Sequence, residues 1–407
     1  MTCQAVARQS YCQPPSPPLP PSPPSPPSPP PSPPSPPSPP PPPSQPPGTA
    51  SVSTSTGLTS VLANTAIGRI VLAPGTYNLT ATLSITRSVV LEAAVAGSVV
   101  LDAQASSSSP RRVLNINPGS SGVVQLIGLN ITGGYVDEGV PGVLCSETCN
   151  YAIDGLCDDG GPGHEYNYDD YEDYSNRYRS TCDLGSDCTD CGPRGGWGGG
   201  VYVTSGTVTI TSSSIYGNSV QSTYGGGGGV YVYSGDVSII NSQIYSNSAP
   251  APEYRRCSGA GVYVYSGTVT ITSSSIYGNT ASGGGGGVFV NSGTVSLTNS
   301  QVYSNQANSG AGVFIYGGTV SIIGSQIYSN TASGICCASA GGGVYVSSGT
   351  VTIASSSIYG NTANGEGGGV MVWGDMVRIS SSLIYGNTAP YGPNVRAGCG
   401  GLGCLCT

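Results

Sequence analysis

The chain has 407 residues and a formal net charge of −8; its twelve cationic side chains are all arginine, and only 8% of its residues are charged. Scattered arginines on an acidic background exclude a nucleic-acid-binding stripe, and no apolar run is long enough to span a membrane as a helix. Sixty-three glycines and 34 prolines, against 2 phenylalanines, favour turns and extended segments over helices.

Residues 1–13 read as an N-terminal remnant. Met1 to Gln13 carries Cys3 and Cys12 but lacks the apolar core of a signal peptide. Residues 14–48 are a spacer: positions 14 to 47 hold 24 of the 34 prolines in Ser-Pro-Pro units, which cannot join helix or sheet and adopt polyproline II. At about 3.1 Å per residue the tract reaches roughly 100 Å. Such a tract also suits aromatic-grooved intracellular domains. Its regular Ser-Pro-Pro pattern resembles the hydroxyproline-rich spacers of green-algal and plant cell-wall glycoproteins, including the pherophorin-like proteins. The resemblance implies hydroxylated, glycosylated prolines and a secreted protein of the extracellular matrix or cell wall, with its signal peptide lost by truncation. Fourteen cysteines agree with an oxidising compartment.

Residues 49–136 read as irregular coils. Leu58, Val61, Leu62 and Ala66 have helical spacing and predict a short helix capping the open end of a core. Strands are expected at 69–72, 83–85, 89–91, 99–101 and 113–116, and within 123–132. Asn78-Leu79-Thr80 and Asn130-Ile131-Thr132 match the glycosylation acceptor pattern, making Asn78 and Asn130 candidates. The stretch Ile70-Val71-Leu72-Ala73-Pro74-Gly75-Thr76-Tyr77 resembles the first coil of pectin-lyase-like right-handed β-helix proteins.

Residues 137–197 form an acidic insert with fourteen of the twenty carboxylates and a formal charge of −11. Its six cysteines, Cys145, Cys149, Cys157, Cys182, Cys188 and Cys191, are disulfide candidates whose pairing the spacing leaves open. The segments 154–159 and 184–191 loosely resemble the Lin-12/Notch repeat. That resemblance implies calcium as a cofactor, with Asp154, Asp158, Asp159, Asp187 and Asp190 as oxygen ligands. The alternative is an acidic, disulfide-tied loop without metal; zinc would compete with disulfides. Five tyrosines among the acids of 166–178 suit modification or cross-linking, or simply a solvated loop.

Residues 198–392 contain seven near-copies of one phrase: Gly-Gly-Val-Tyr-Val, Ser-Gly-Thr-Val-Thr-Ile, Ser-Ser-Ser-Ile-Tyr-Gly-Asn. Its Asn recurs at 218, 247, 279, 305, 330, 361 and 387, a period of 25 to 32 residues, which marks a solenoid. Three alternating runs per repeat predict three strands per coil, paired in parallel with the next coil. Valines beginning at Val201 and Val208 and isoleucines beginning at Ile215 are expected to stack as interior columns, and Asn218 with its counterparts as a ladder of amides. The fold class is therefore all-β, a parallel β-helix of about ten coils, right-handed by the rule for parallel crossovers. The repeats are similar to those of polymorphic outer membrane proteins.

Residues 393–407 are a tail with Cys399, Cys404 and Cys406; Cys257 and the pair Cys336-Cys337 occupy inter-coil loops. No catalytic residue is assigned. The one histidine, His164, lies in the insert, and over 198–392 the carboxylates are Asp236, Glu253, Glu366 and Asp375, without a catalytic spacing. Upstream, Glu92 and Asp102 with Arg87, Arg111 and Arg112 match no catalytic pattern either. Alternation turns Tyr202, Tyr231, Tyr263, Phe289, Phe314 and Tyr345 outward as a candidate ligand surface. A second column runs from Tyr216 to Tyr385. Both suit sugar rings or wall proteins, and both equally suit rings stacking on one another. A threonine column through Thr207, Thr268, Thr319 and Thr350 resembles the arrays of β-helical ice-binding proteins, although ordinary strand preference accounts for it. The expected function is a structural or adhesive wall protein with polysaccharide or cell-wall glycoproteins as partners. A polysaccharide lyase or glycoside hydrolase is the runner-up, and a surface adhesin the third reading.

Overall fold

Each of the first six repeats delivers four strands and the seventh three, as the computed structural model shows over the residues it describes: 48–137, 196–222, 225–251, 257–334, 340–373 and 376–397. In one coil these are Val262–Val264, Thr268–Thr272, Ser275–Tyr277 and Thr280–Ala281. Three were expected. The fourth is only two residues long, too short to leave a period-2 signal, and it follows directly on the ladder asparagine.

All strands pair in parallel with their counterparts one coil away, in unbroken register. Val262 lies beside Val230 and Val288, Val269 beside Val237 and Val295, and Ile276 beside Ile244 and Val302. The four sheets contain eleven, ten, ten and seven strands. The coil count thus departs slightly from ten, because the first coils are incomplete and the fourth sheet begins only at Tyr135–Asp137.

Alternation fixes the interior. In Thr207–Thr211, Val208 and Ile210 are buried while the threonines face out. The expected columns are all in place: Val201 to Val370, Val208 to Val351 and Ile215 to Ile358 are at most 1% exposed. Val377 and Ile384 end two of them only partly buried. Burying each such aliphatic contributes about 1.5–3 kcal/mol, so each coil adds a similar apolar layer.

Corners are set by two polar ladders. The asparagine ladder forms as expected: Asn279 Nδ2 donates to Ile244 O at 3.0 Å and to Asn305 Oδ1 at 2.9 Å. A second ladder was not expected. Ser242, Ser274, Ser300, Ser325 and Ser356 each accept the backbone N–H of the preceding ladder serine at 3.1–3.2 Å. The residue just before each serine is left-handed, for example Ser273 at φ 50° and Asn299 at φ 50°.

The helix Ser55–Ala63 caps the first coil, with Thr54 as N-cap and Leu58 fully buried. Ala66 lies beyond its end, so the helix is shorter than the spacing predicted. Arg87 holds that end by donating to the carbonyls of Leu62, Asn64 and Ile67 at 2.6–3.1 Å. The strands expected upstream are present, with Thr49–Val52 and Gly75–Asn78 in addition. Tyr77 ties these two together, its hydroxyl donating to Val52 O at 2.7 Å.

Candidate functional site

The predicted ligand surface is covered. Tyr202 and Tyr231 are 1% exposed and Tyr263 and Phe289 8%, while Phe314 and Tyr345 are half-buried. The column does face away from the aliphatic core, as alternation requires. It is roofed by the glycine runs that precede each Val-Tyr-Val strand. These runs hydrogen-bond coil to coil, Gly198 to Gly226, Gly199 to Gly227 and Gly200 to Gly228, at 3.0–3.1 Å. Gly285 shows why glycine is required: its φ is +64°, and a Cβ there would sit 2.5 Å from Val288 O and 2.8 Å from Phe289 Cβ. Trp197 lies over the same rings, 5.0 Å from Tyr231 and 6.1 Å from Tyr263 between centroids.

Beneath this roof the six aromatics form one stack with centroids 4.6–5.2 Å apart. Burial raises the phenol pKa values well above their usual range for Tyr231, and to about 12 for Tyr202. These hydroxyls stay neutral and are inaccessible to a polymer.

The second tyrosine column remains open. Tyr216, Tyr245, Tyr277, Tyr303, Tyr328 and Tyr359 are half-exposed and Tyr385 is exposed. Consecutive rings are parallel within 3–8° and 4.9–5.3 Å apart. The rings therefore stack on each other. Their faces are taken, and their rims and hydroxyls point outward. Tyr277, Tyr328 and Tyr359 donate to Gln243, Gln301 and Gln326 at 3.1–3.3 Å.

The neighbouring eleven-stranded sheet turns out Thr207, Thr268, Thr294, Thr319 and Thr350, all exposed, with half-buried hydroxyl residues two positions on. A third aromatic pair, Tyr233 and Tyr265, stacks at 5.2 Å just past the Val-Tyr-Val strands. Its column is broken by Thr204, Asn291 and Ser347, so no once-per-coil aromatic signal marks it in the sequence.

The upstream charged set is structural. Arg69 pairs with Glu92, Arg111 donates to Leu79 O and Ala103 O, and Arg112 Nε donates to Trp197 O at 2.7 Å. Glu366 pairs with Arg396 at 3.6 Å, while Asp236 stands exposed on the threonine face. Among the described residues, no three His, Cys, Asp or Glu side chains gather in a way that would hold a metal.

The remaining candidates divide by position. Asn78 is exposed at the end of its strand. Asn130 is half-buried, and its Nδ2, the atom a glycan would occupy, donates to Gly97 O at 2.7 Å and Val99 O at 3.1 Å. Cys257 is buried among small residues including Ala249, Ala260 and Ala281. The calcium candidates Asp154, Asp158, Asp159, Asp187 and Asp190 lie outside the described residues. So do Cys145, Cys149, Cys157, Cys182, Cys188, Cys191, the proline tract and the C-terminal cysteines.

No helix among the described residues is long and apolar enough to cross a membrane. No curated protein and no solved structure matches the chain. Residues 199–389 match the family model for the right handed beta helix region. The repeats thus build a parallel β-helix similar to that family, with the handedness expected from its crossovers.

Proposed function

We propose that the chain is a structural or adhesive protein of an extracellular matrix or cell wall. Its β-helix serves as a stiff spacer that presents hydroxyl-rich columns to polysaccharide or to wall glycoproteins. The observation that carries this reading is the open ladder from Tyr216 to Tyr385, which runs beside the threonine face through seven coils. At the usual strand spacing of about 4.8 Å it extends for roughly 30 Å. Because stacking occupies the ring faces, contact is made through phenol rims and hydroxyls, by hydrogen bonds rather than by sugar–ring stacking.

The polysaccharide-active alternative has less support, since Glu92, Asp102 and Glu366 are each engaged by a neighbouring group of the scaffold itself. Calcium held by Asp154, Asp158, Asp159, Asp187 and Asp190 belongs to the same proposal, and a calcium-dependent rise in melting temperature tests it. For the contact face, Tyr277, Tyr303 and Tyr328 are replaced together by Phe. This keeps the stack and removes three hydroxyls. Retention on insoluble wall polysaccharide is expected to fall while the melting temperature holds. Unchanged retention removes the ladder from the proposal.

A further inference from the structure

Four buried polar side-chain atoms without a hydrogen-bond partner lie on or beside one strand pair: Arg112 Nη2, Tyr202 Oη, Asn115 Oδ1 and Thr204 Oγ1. Arg396 Nε, by contrast, is ion-paired, 3.6 Å from a carboxylate oxygen of Glu366. Elsewhere the polar ladders satisfy themselves coil after coil, so the four are a local feature rather than loose construction. Asn115 is the register partner of Tyr202 on the adjacent strand, and Thr204 follows two residues after Tyr202. The Arg112 guanidinium lies over the Tyr202 ring, 4.9 Å from its centroid. It thereby ends the buried aromatic stack on the side where the adjacent coil carries Asn115 in place of a ring.

Arg112 is 4% exposed and Tyr202 1%. No carboxylate of the described residues pairs with Arg112. An arginine stays charged even where burial disfavours it, and an uncompensated buried cation is among the costliest groups a fold can hold. Arg112 Nη2 and the hydroxyls of Tyr202 and Thr204 are hydrogen-bond donors; the Asn115 amide can turn its nitrogen to the same place. The Asn115–Tyr202 register pairing and the stacking of Arg112 on the Tyr202 ring set neutral donors on the same strand pair as one fixed cation, a set whose chemistry complements a small oxyanion. Asn115 and Thr204 are themselves only half-buried, so the place communicates with the surface beside them.

We infer that Arg112, Tyr202, Asn115 and Thr204 form a binding site for a small carboxylate at the upstream end of the buried aromatic stack. The guanidinium supplies the charge and the hydroxyls set the orientation. This goes beyond the wall-protein reading and does not depend on it.

The test is thermal unfolding of the full chain in rising sodium acetate, balanced against sodium chloride at constant ionic strength. The wild-type melting temperature is expected to climb by a few degrees as acetate fills the site. Arg112→Met removes that rise. Tyr202→Phe keeps the ring beneath the guanidinium, removes one donor and weakens the response several-fold, and it serves as the test should the arginine variant not fold. A wild-type melting temperature indifferent to acetate overturns the site, as does an equal rise in both variants. If carboxylates of the insert were the permanent occupants, acetate would change nothing while Arg112→Met still lost stability, and that result also overturns an exchangeable site.

Discussion

Asn305 accepts two hydrogen bonds on one oxygen: Asn279 donates to its Oδ1 from the backbone nitrogen at 3.1 Å and from Nδ2 at 2.9 Å. Asn305 Nδ2 in turn donates to Ile276 O at 3.0 Å and to Asn330 Oδ1 at 2.9 Å. The residue is fully buried, so every bond is made where water cannot replace it. Asn305→Ala strands both donors of Asn279. It is expected to cost roughly 2–6 kcal/mol, since each orphaned buried group costs about 1–3 kcal/mol. The exposed neighbour Gln306, changed to Ala, should move stability by no more than about 0.5 kcal/mol. Urea unfolding of the two variants measures the contrast.

Two glycines with almost the same backbone angle should pay very different penalties for a side chain. Gly285, at φ +64°, meets Val288 O at 2.5 Å, and Gly360, at φ +61°, has no neighbour nearer than 4.0 Å. Ser246, Ser304 and Ser329 already occupy the position equivalent to Gly360 in other coils, at φ 53–55°. Gly360→Ser therefore costs only the left-handed backbone term, about 1 kcal/mol. Gly285→Ala adds a clash with rigid backbone and lifts the glycine roof from Phe289, for a loss of about 3 kcal/mol or more. Differential scanning calorimetry on both variants decides whether the roof is as tight as the contacts indicate.

The same glycines mark where sequence reasoning stopped. Val201, Val208, Ile215 and Asn218 were legible because each recurs once per coil and alternation assigns it a side. Alternation also put Tyr202 on the opposite side from Val201, correctly. It could not show that a run such as 196–200, which reads as a flexible turn, is itself hydrogen-bonded across coils and closes over the ring. The serine ladder was hidden for a related reason. Three consecutive serines carry no periodicity, and only the left-handed residue before Ser274 separates the one that turns inward. Arg112 gave no signal, since its role depends on Trp197 and Tyr202, which are 85 and 90 positions away in sequence.

Alkaline solution should probe the roofed stack. Tyr202 has its pKa raised from 10 to about 12, first by burial and then by neighbouring Tyr233, with Arg112 opposing. A folded-state pKa above the unfolded value means that the native chain binds more protons between the two, so stability falls as pH rises. The contribution of Tyr202 is intact below about pH 10 and is lost progressively toward pH 12, amounting to roughly 3 kcal/mol. Tyr231 and Tyr263, pushed up by burial, steepen the same loss. Melting temperatures recorded from pH 8 upward should stay level with respect to these groups until about pH 10 and then drop. Tyr202→Phe should shallow that drop, and an identical profile in the variant would mean that the hydroxyl is solvated.

Leu58 seals the first coil from the short capping helix, and truncating it should separate the two ends of the solenoid. The side chain is fully buried in the main core, with Val61 and Leu62 packed partly against the same cluster. Leu58→Ala is expected to cost about 2–5 kcal/mol locally, from lost burial and the cavity that remains. In a stack where each coil touches only its neighbours, that loss need not reach the far coils. Amide exchange should accelerate first in Arg69–Leu72 and Val89–Ala93, while Val262–Val264 and Val313–Ile315 keep their protection. Uniform acceleration along all the sheets would show instead that the aliphatic columns and the asparagine ladder couple every coil into one unfolding unit, and the helix would then govern the stability of the whole β-helix rather than of its first turns.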